Sequence, residues 1–300
     1  MTLDQRIDQD LNDLYKAGIF HLIQQIKSCQ ISAAAKLSMD LFGNPNELSV
    51  HGLPGYFTGK RDAETVMVML NPGNDVISHN NPFATEVTLN KLGMSNSNSY
   101  NAFITSFMSG SENFGVIDYN RLDNFDIKQA AFLKPWPKSG VNIPNPFPTK
   151  NNKAALRTAK ANVLMQKLQL ELVPYASREF KHIKKNRIKH LFPYVETLFE
   201  EVFLHHRKYV IFCSDFFDKL FKEYNNVNPG SIDFDAKKVK LCFFQNGNNA
   251  YCTPIRIYFK GNSIKAVIAH TFPNKALPNA YNLMEDYGDF CFKEFKKSPI

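Results

Sequence analysis

Three short stretches of this 300-residue chain carry residue types that could do chemistry. Asn71-Pro72-Gly73-Asn74-Asp75 puts an amide, a carboxylate and freed backbone N–H groups into one tight turn. His270-Thr271-Phe272-Pro273-Asn274 opens a loop with an imidazole, and Glu171-Leu172-Val173-Pro174-Tyr175-Ala176-Ser177 holds a carboxylate in an apolar run. An amide orients a water molecule without titrating, and an imidazole donates or transfers a proton near neutral pH. Taken singly, each feature has a plain structural reading, and a histidine at a strand end is more often a structural hydrogen-bonder than a catalyst.

These stretches are placed by the elements before them. Residues 65–70, 168–173, 209–213 and 264–269 are strand-like runs rich in apolar residues, the first of them the most continuous. Continuous apolar runs read as strands covered on both faces, and helical stretches between them argue for a parallel or mostly parallel sheet. In open sheets of that kind ligands lie beyond the carboxyl ends of the strands. That rule selects Asn71 to Asp75, Glu171 to Ser177, Ser214-Asp215 and His270 to Asn274. Ser214 reads as the N-cap of a helix over 216–224. Residues 241–258, turning at Gly247, read as a hairpin before the last strand.

Residues 3–42 show leucines and isoleucines at three- and four-residue spacing and read as helices packed on the same domain. The expected division is a helical extension over 1–55 and an α/β domain over 56–300. Five prolines (Pro135, Pro137, Pro144, Pro146 and Pro148) make residues 132–152 a loop, which also carries the only tryptophan, Trp136. Such a loop either carries function or wraps an apolar flank. Tyr56, Phe57, Phe83, Trp136 and Tyr175 lie in or near loops and are candidate platforms for stacking a base.

Composition narrows the partners. Thirty-six Lys plus Arg against 28 Asp plus Glu leave a net charge of +8. That balance favours acidic partners, although 28 of the 36 cations are Lys, the less selective phosphate ligand, and a solvated surface would look similar. Six Lys or Arg fall within residues 178–190, including Lys181, Lys184, Lys185 and Arg187. Placed beside the strand ends, they would track phosphates; the other reading is a solvated helix face. The five cysteines have no C-x-x-C spacing, so reduced thiols in a cytoplasmic protein are expected, with no metal and no cofactor. No run approaches a membrane span, so no membrane partner is expected. Nucleotide-binding glycine motifs and the G-x-S-x-G nucleophile elbow are missing from the sequence. His205-His206, adjacent on a helical stretch, cannot share one face as metal ligands.

The order of these segments resembles that of the uracil-DNA glycosylase superfamily. "VMVMLNPG" (66–73) is similar to its first motif, closest to the mismatch-specific and single-strand-selective branches with their Asn-Pro-Gly turn. "AHTFPNKALPNAY" (269–281) is similar to its second motif. "LELVPYAS" (170–177) resembles the strand whose end reads the base, and "YVIFCSDFFDKLF" (209–221) resembles the third strand and its helix. The resemblance spans residues 60–290. It implies a three-layer α/β/α fold with a central, mostly parallel four-stranded sheet. It also implies a DNA partner, single- or double-stranded, a monomer, and base flipping in DNA repair.

In that resemblance Asn71 orients the attacking water, His270 donates to the base oxygen where negative charge develops, and Asp75 assists the water or balances charge on the sugar. Gly73, Glu171, Tyr175, Phe83 and Ser177 would line the base site. Lys275 would hold a phosphate, with Leu277 or Phe272 as a wedge in the duplex. Two departures stand out: Thr271-Phe272 replaces the usual Pro-Ser, and Glu171 stands near the amide that reads uracil. A carboxylate only accepts hydrogen bonds, so Glu171 points to a non-uracil base rich in donors, unless it is a buried partner of a lysine. The expected function is therefore a hydrolase excising a non-uracil or modified base. The alternative is a catalytically silent nucleic-acid-binding module on the same fold.

Overall fold

A computed structural model describes residues 1–15, 32–45, 47–48, 56–71, 124–137, 152–164, 166–175, 177, 180–240, 249–272 and 281–300. The fold is mixed α/β. Its strands are β1 (Phe57–Gly59), β2 (Thr65–Met69), β3 (Lys167–Glu171), β4 (Tyr209–Phe212), β5 (Ile232–Phe234), β6 (Lys238–Lys240), β7 (Ala250–Phe259) and β8 (Asn262–Ala269). Its α-helices are α1 (Leu3–Tyr15), α2 (Ser32–Phe42), α3 (Asn124–Leu133), α4 (Lys153–Leu164), α5 (Phe192–Leu204), α6 (Phe216–Val227) and α7 (Tyr281–Lys297).

The strands form one sheet in the order β1-β3-β2-β4-β8-β7-β5, with β6 on β7. β2, β4 and β8 run parallel, with Val66 opposite Val210 and Val210 opposite Ala266. Every residue of β2 is buried, as an apolar run without alternation predicts for a strand covered on both faces. The sheet is larger and more mixed than the sequence suggests. β7 is antiparallel to β5, β6 and β8, so the parallel strands β2, β4 and β8 acquire an antiparallel flank. β7 and β8 are joined by Lys260-Gly261, both at positive φ (49° and 79°), the backbone that a primed two-residue hairpin turn requires. The first strand and the Gly247 turn of the hairpin expected over 241–258 lie outside the described residues; β7 instead pairs with β6, which precedes that span.

Contacts divide the chain into two units. The first contains 1–58, 69–115 and 170–204; the second contains 59–68, 116–169 and 205–300. The boundaries cut differently from a split at residue 55, because the N-terminal helices pack with segments from later in the chain.

In the first unit α1 packs on α5. Arg6 donates through Nε to the Thr197 hydroxyl at 3.1 Å and through its guanidinium to the Pro193 carbonyl at 3.2 Å, and it lies 4.1 Å from the centre of the Tyr194 ring. Pro193 occupies the first turn of α5, where its missing N–H costs nothing.

In the second unit α7 runs along α3, and Gly288 is the point of closest approach. A Cβ there would lie 1.9 Å from the Phe132 carbonyl oxygen, so only glycine fits. Lys134 and Glu285 close the same interface with a 2.7 Å ion pair. Helix α3 runs through Leu133, so the proline-rich loop starts later than its sequence suggests. Trp136 is 2% exposed and packs against Phe132, Tyr209, Phe292 and Phe295. No helix among the described residues is long and apolar enough to cross a membrane.

Candidate functional site

The strand ends singled out by the sequence fall in both units. Asn71, Glu171, Tyr175 and Ser177 belong to the first, and His270 to the second.

Within the first unit, backbone bonds from Leu172 and Val173 to the Met69 and Leu70 carbonyls continue the ladder past the named strands. They set Asn71 beside the segment after β3. Its side-chain NH2 donates to the Tyr175 carbonyl at 3.3 Å and more weakly to the Ser177 carbonyl at 3.5 Å. Ser177 is itself tied into the fold by an antiparallel bridge to Leu48.

Tyr175 departs from its expected role. It is 1% exposed and so cannot stack on a flipped base without the fold opening. Its phenol lies near buried Tyr56 and half-buried Tyr194 and Asp10. The Tyr56 hydroxyl donates to Asp10 Oδ2 at 2.7 Å. Burial pushes the phenols of Tyr56 and Tyr175 well above the ordinary tyrosine range, and the Asp10 charge adds to this. Tyr194 is pushed up to about 12 by burial and then Asp10, with the Arg6 cation pulling the other way. All three stay protonated and neutral. Tyr56, Phe57 and Trp136 are likewise buried, so these stacking candidates are core residues. Glu171 is 9% exposed at the end of β3, and its N–H donates to the Tyr56 carbonyl.

The second unit presents His270 directly after β8. It is 8% exposed, and its Nε2 lies 2.8 Å from the Thr253 hydroxyl. Its backbone N–H donates to the Tyr251 carbonyl. Desolvation, with help from the Lys237 cation, lowers the imidazole from 6.5 to about 4, and Asp218 and Asp215 only partly oppose this. The ring is neutral at physiological pH. Lys237 is exposed, with Nζ 4.2 Å from the centre of the Tyr251 ring.

The turn after His270 is anchored from α7. The Tyr287 hydroxyl accepts from the Thr271 N–H at 3.1 Å and donates to the Tyr251 carbonyl at 2.7 Å, while the Thr271 hydroxyl accepts from the Tyr251 N–H at 3.1 Å. Phe272 is fully buried against Phe132. It is a core residue and not a duplex wedge. After β4, the Ser214 hydroxyl accepts the Phe216 N–H at 3.2 Å, so Ser214 ties the start of α6 as its sequence position suggests.

The basic segment is not a continuous helix. It forms two 3-10 turns, Phe180–His182 and Lys185–Leu191. Lys184 and Lys185 are exposed. The Arg187 guanidinium donates to the Met39 carbonyl at 3.0 Å and covers Gly43, closing the end of α2. Of Lys181 only the backbone is described. Gly73, Asp75, Phe83, Lys275 and Leu277 lie outside the described residues. His205 and His206 follow the end of α5 and are not helical. Among the described residues no group of three His, Cys, Asp or Glu could hold a metal ion. Cys213, Cys252 and Cys291 are buried free thiols.

Thr253, Lys237 and Asp10 were not apparent from sequence. Thr253 was within reach. A turn centred on Lys260-Gly261 sets Thr253 opposite Ile268, which makes His270 its diagonal neighbour on the same face. Asp10 and Lys237 reach their partners only through packing of distant segments. No protein-family model, no curated protein and no solved structure matches the chain.

Proposed function

We propose that this protein is a DNA glycosylase-like hydrolase acting on a flipped, non-uracil or modified base. Water adds at C1′ of the sugar, the C1′–N bond breaks with its electron pair leaving on the base, and the water proton is passed on to the base or solvent.

The observation that carries this reading is His270, a neutral and nearly buried imidazole held by Thr253 beyond the end of a central parallel strand. Neutrality suits a donor to a developing base anion, because a hydrogen bond aimed at that charge stabilises the transition state without a proton leaving the ring. Asn71 follows β2 with its side-chain NH2 tethered to the Tyr175 carbonyl, and in this reading it orients the water. The four runs with the family-like motifs are neighbours in the sheet, in the order β3-β2-β4-β8, which supports a glycosylase-like core. The buried carboxylate of Glu171 supports preference for a base edge that donates hydrogen bonds.

The test is incubation with oligonucleotides carrying a panel of modified and damaged bases, followed by alkali. Strand breaks that disappear in His270→Ala and Asn71→Ala support the proposal. Binding without breaks on any base would favour the silent nucleic-acid-binding module instead. Uracil release matching that of dedicated uracil enzymes would overturn the non-uracil preference.

A further inference from the structure

We infer that Thr253 fixes His270 in the tautomer with its proton on Nδ1, making Nδ1–H the working donor of the site. Thr253 is 2% exposed, and its one described side-chain hydrogen bond is the 2.8 Å contact with Nε2. Two proton arrangements satisfy that distance. If the hydroxyl donates to Nε2, the buried O–H proton is used and Nδ1 carries the ring proton. If Nε2–H donates to the hydroxyl, the O–H proton has no described acceptor in a site closed to water. An orphaned buried donor costs about 1–3 kcal/mol, whereas unused acceptor lone pairs are tolerated more readily. The first arrangement therefore wins.

The rest of the ring follows. Among the described residues none hydrogen-bonds Nδ1, and His270 is 8% exposed. The ring is neutral, and it carries one N–H to offer a ligand. That Nδ1–H meets an oxygen of a leaving base rests on the proposed function; the tautomer itself does not. Thr253 acts through His270 and is a positioning residue. A serine there keeps the hydroxyl, while a valine keeps the shape and removes it.

The test is long-range proton–nitrogen correlation NMR on the full-length, nitrogen-15-labelled protein at neutral pH, with His270 assigned by its loss in His270→Gln. Expected in the wild type are a pyrrole-type signal at Nδ1 and a pyridine-type signal at Nε2. Thr253→Ser retains that pattern, and Thr253→Val loses the single tautomer. A pyrrole-type Nε2 in the wild type overturns the inference, as does an unaltered pattern in a folded Thr253→Val. If Thr253→Val does not fold, the wild-type and Thr253→Ser spectra still decide. With a cleavable base in hand, Thr253→Val should release it about tenfold more slowly, the worth of one misdirected hydrogen bond, while Thr253→Ser stays near wild type. Base release missing in every variant, beside the expected wild-type spectrum, would sink the glycosylase reading and leave the tautomer standing.

Discussion

The Tyr56 hydroxyl donates to the Asp10 carboxylate at 2.7 Å, across 46 residues of chain, and so ties α1 to the residue before β1. Tyr175 and Tyr194 share that carboxylate's field, and the Tyr175 carbonyl in turn receives the Asn71 amide. The first helix is thereby linked to a candidate site residue through one half-buried acid. A hydrogen bond to a charged group contributes about 1.5–3 kcal/mol. Tyr56→Phe should destabilise the first unit by about that much, measured by urea unfolding followed through tyrosine fluorescence. A change under a few tenths of a kcal/mol would show that the bond carries no net stability.

His270 makes stability depend on pH in a stated direction. Its folded-state value of about 4 lies below the unfolded value of 6.5, so the unfolded chain binds the proton more readily. Stability is therefore unaffected by this group above pH 6.5 and falls as pH drops from 6.5 toward 4. The loss at pH 4 is about 3 kcal/mol from this residue. His270→Asn should remove that share of the acid limb. Parallel stability–pH curves for the two proteins would show that His270 is not desolvated as described.

Gly288 leaves no room for a methyl group beneath the Phe132 carbonyl. Gly288→Ala should force α3 and α7 apart and cost about 1–3 kcal/mol, as overpacking a core does. A melting temperature lowered by several degrees is the expected reading, and an unchanged one would mean the helices separate freely.

Trp136 is the only tryptophan and is buried among four aromatic rings of the second unit. Its emission should be blue-shifted in the folded protein, poorly quenched by iodide, and unmoved by single-stranded DNA. Strong quenching by DNA would return Trp136 to the role of a stacking platform. Trp136→Ala should cost about 3–5 kcal/mol.

Exposed Lys184 and Lys185 differ from Arg187, whose guanidinium is spent on the Met39 carbonyl. If the basic segment meets DNA, Lys184→Gln with Lys185→Gln should lower the slope of log affinity against log salt by about 2. Arg187→Gln should instead lower stability and leave the slope nearly unchanged. Equal slope changes from all three would place Arg187 on phosphate after all.

Much of this was legible along the chain. The runs at 65–70 and 209–213 become buried parallel strands because apolar residues without alternation can be covered on two faces only inside a sheet. Pro193, Ser214 and the phenylalanine stripe of α6 mark helix starts and a buried face by local chemistry alone. Those signals depend on neighbours in sequence. Tertiary structure decided the rest, because burial and charge depend on what distant segments bring. It buried Tyr175 and Phe272, which sequence position left free to stack or wedge, and it turned Arg187 from a phosphate ligand into the closure of α2. It also gave His270 a specific chemical state. The residue type supplies an imidazole that titrates near 6.5; desolvation and Lys237 make it neutral, and a hydroxyl from the neighbouring strand directs its proton.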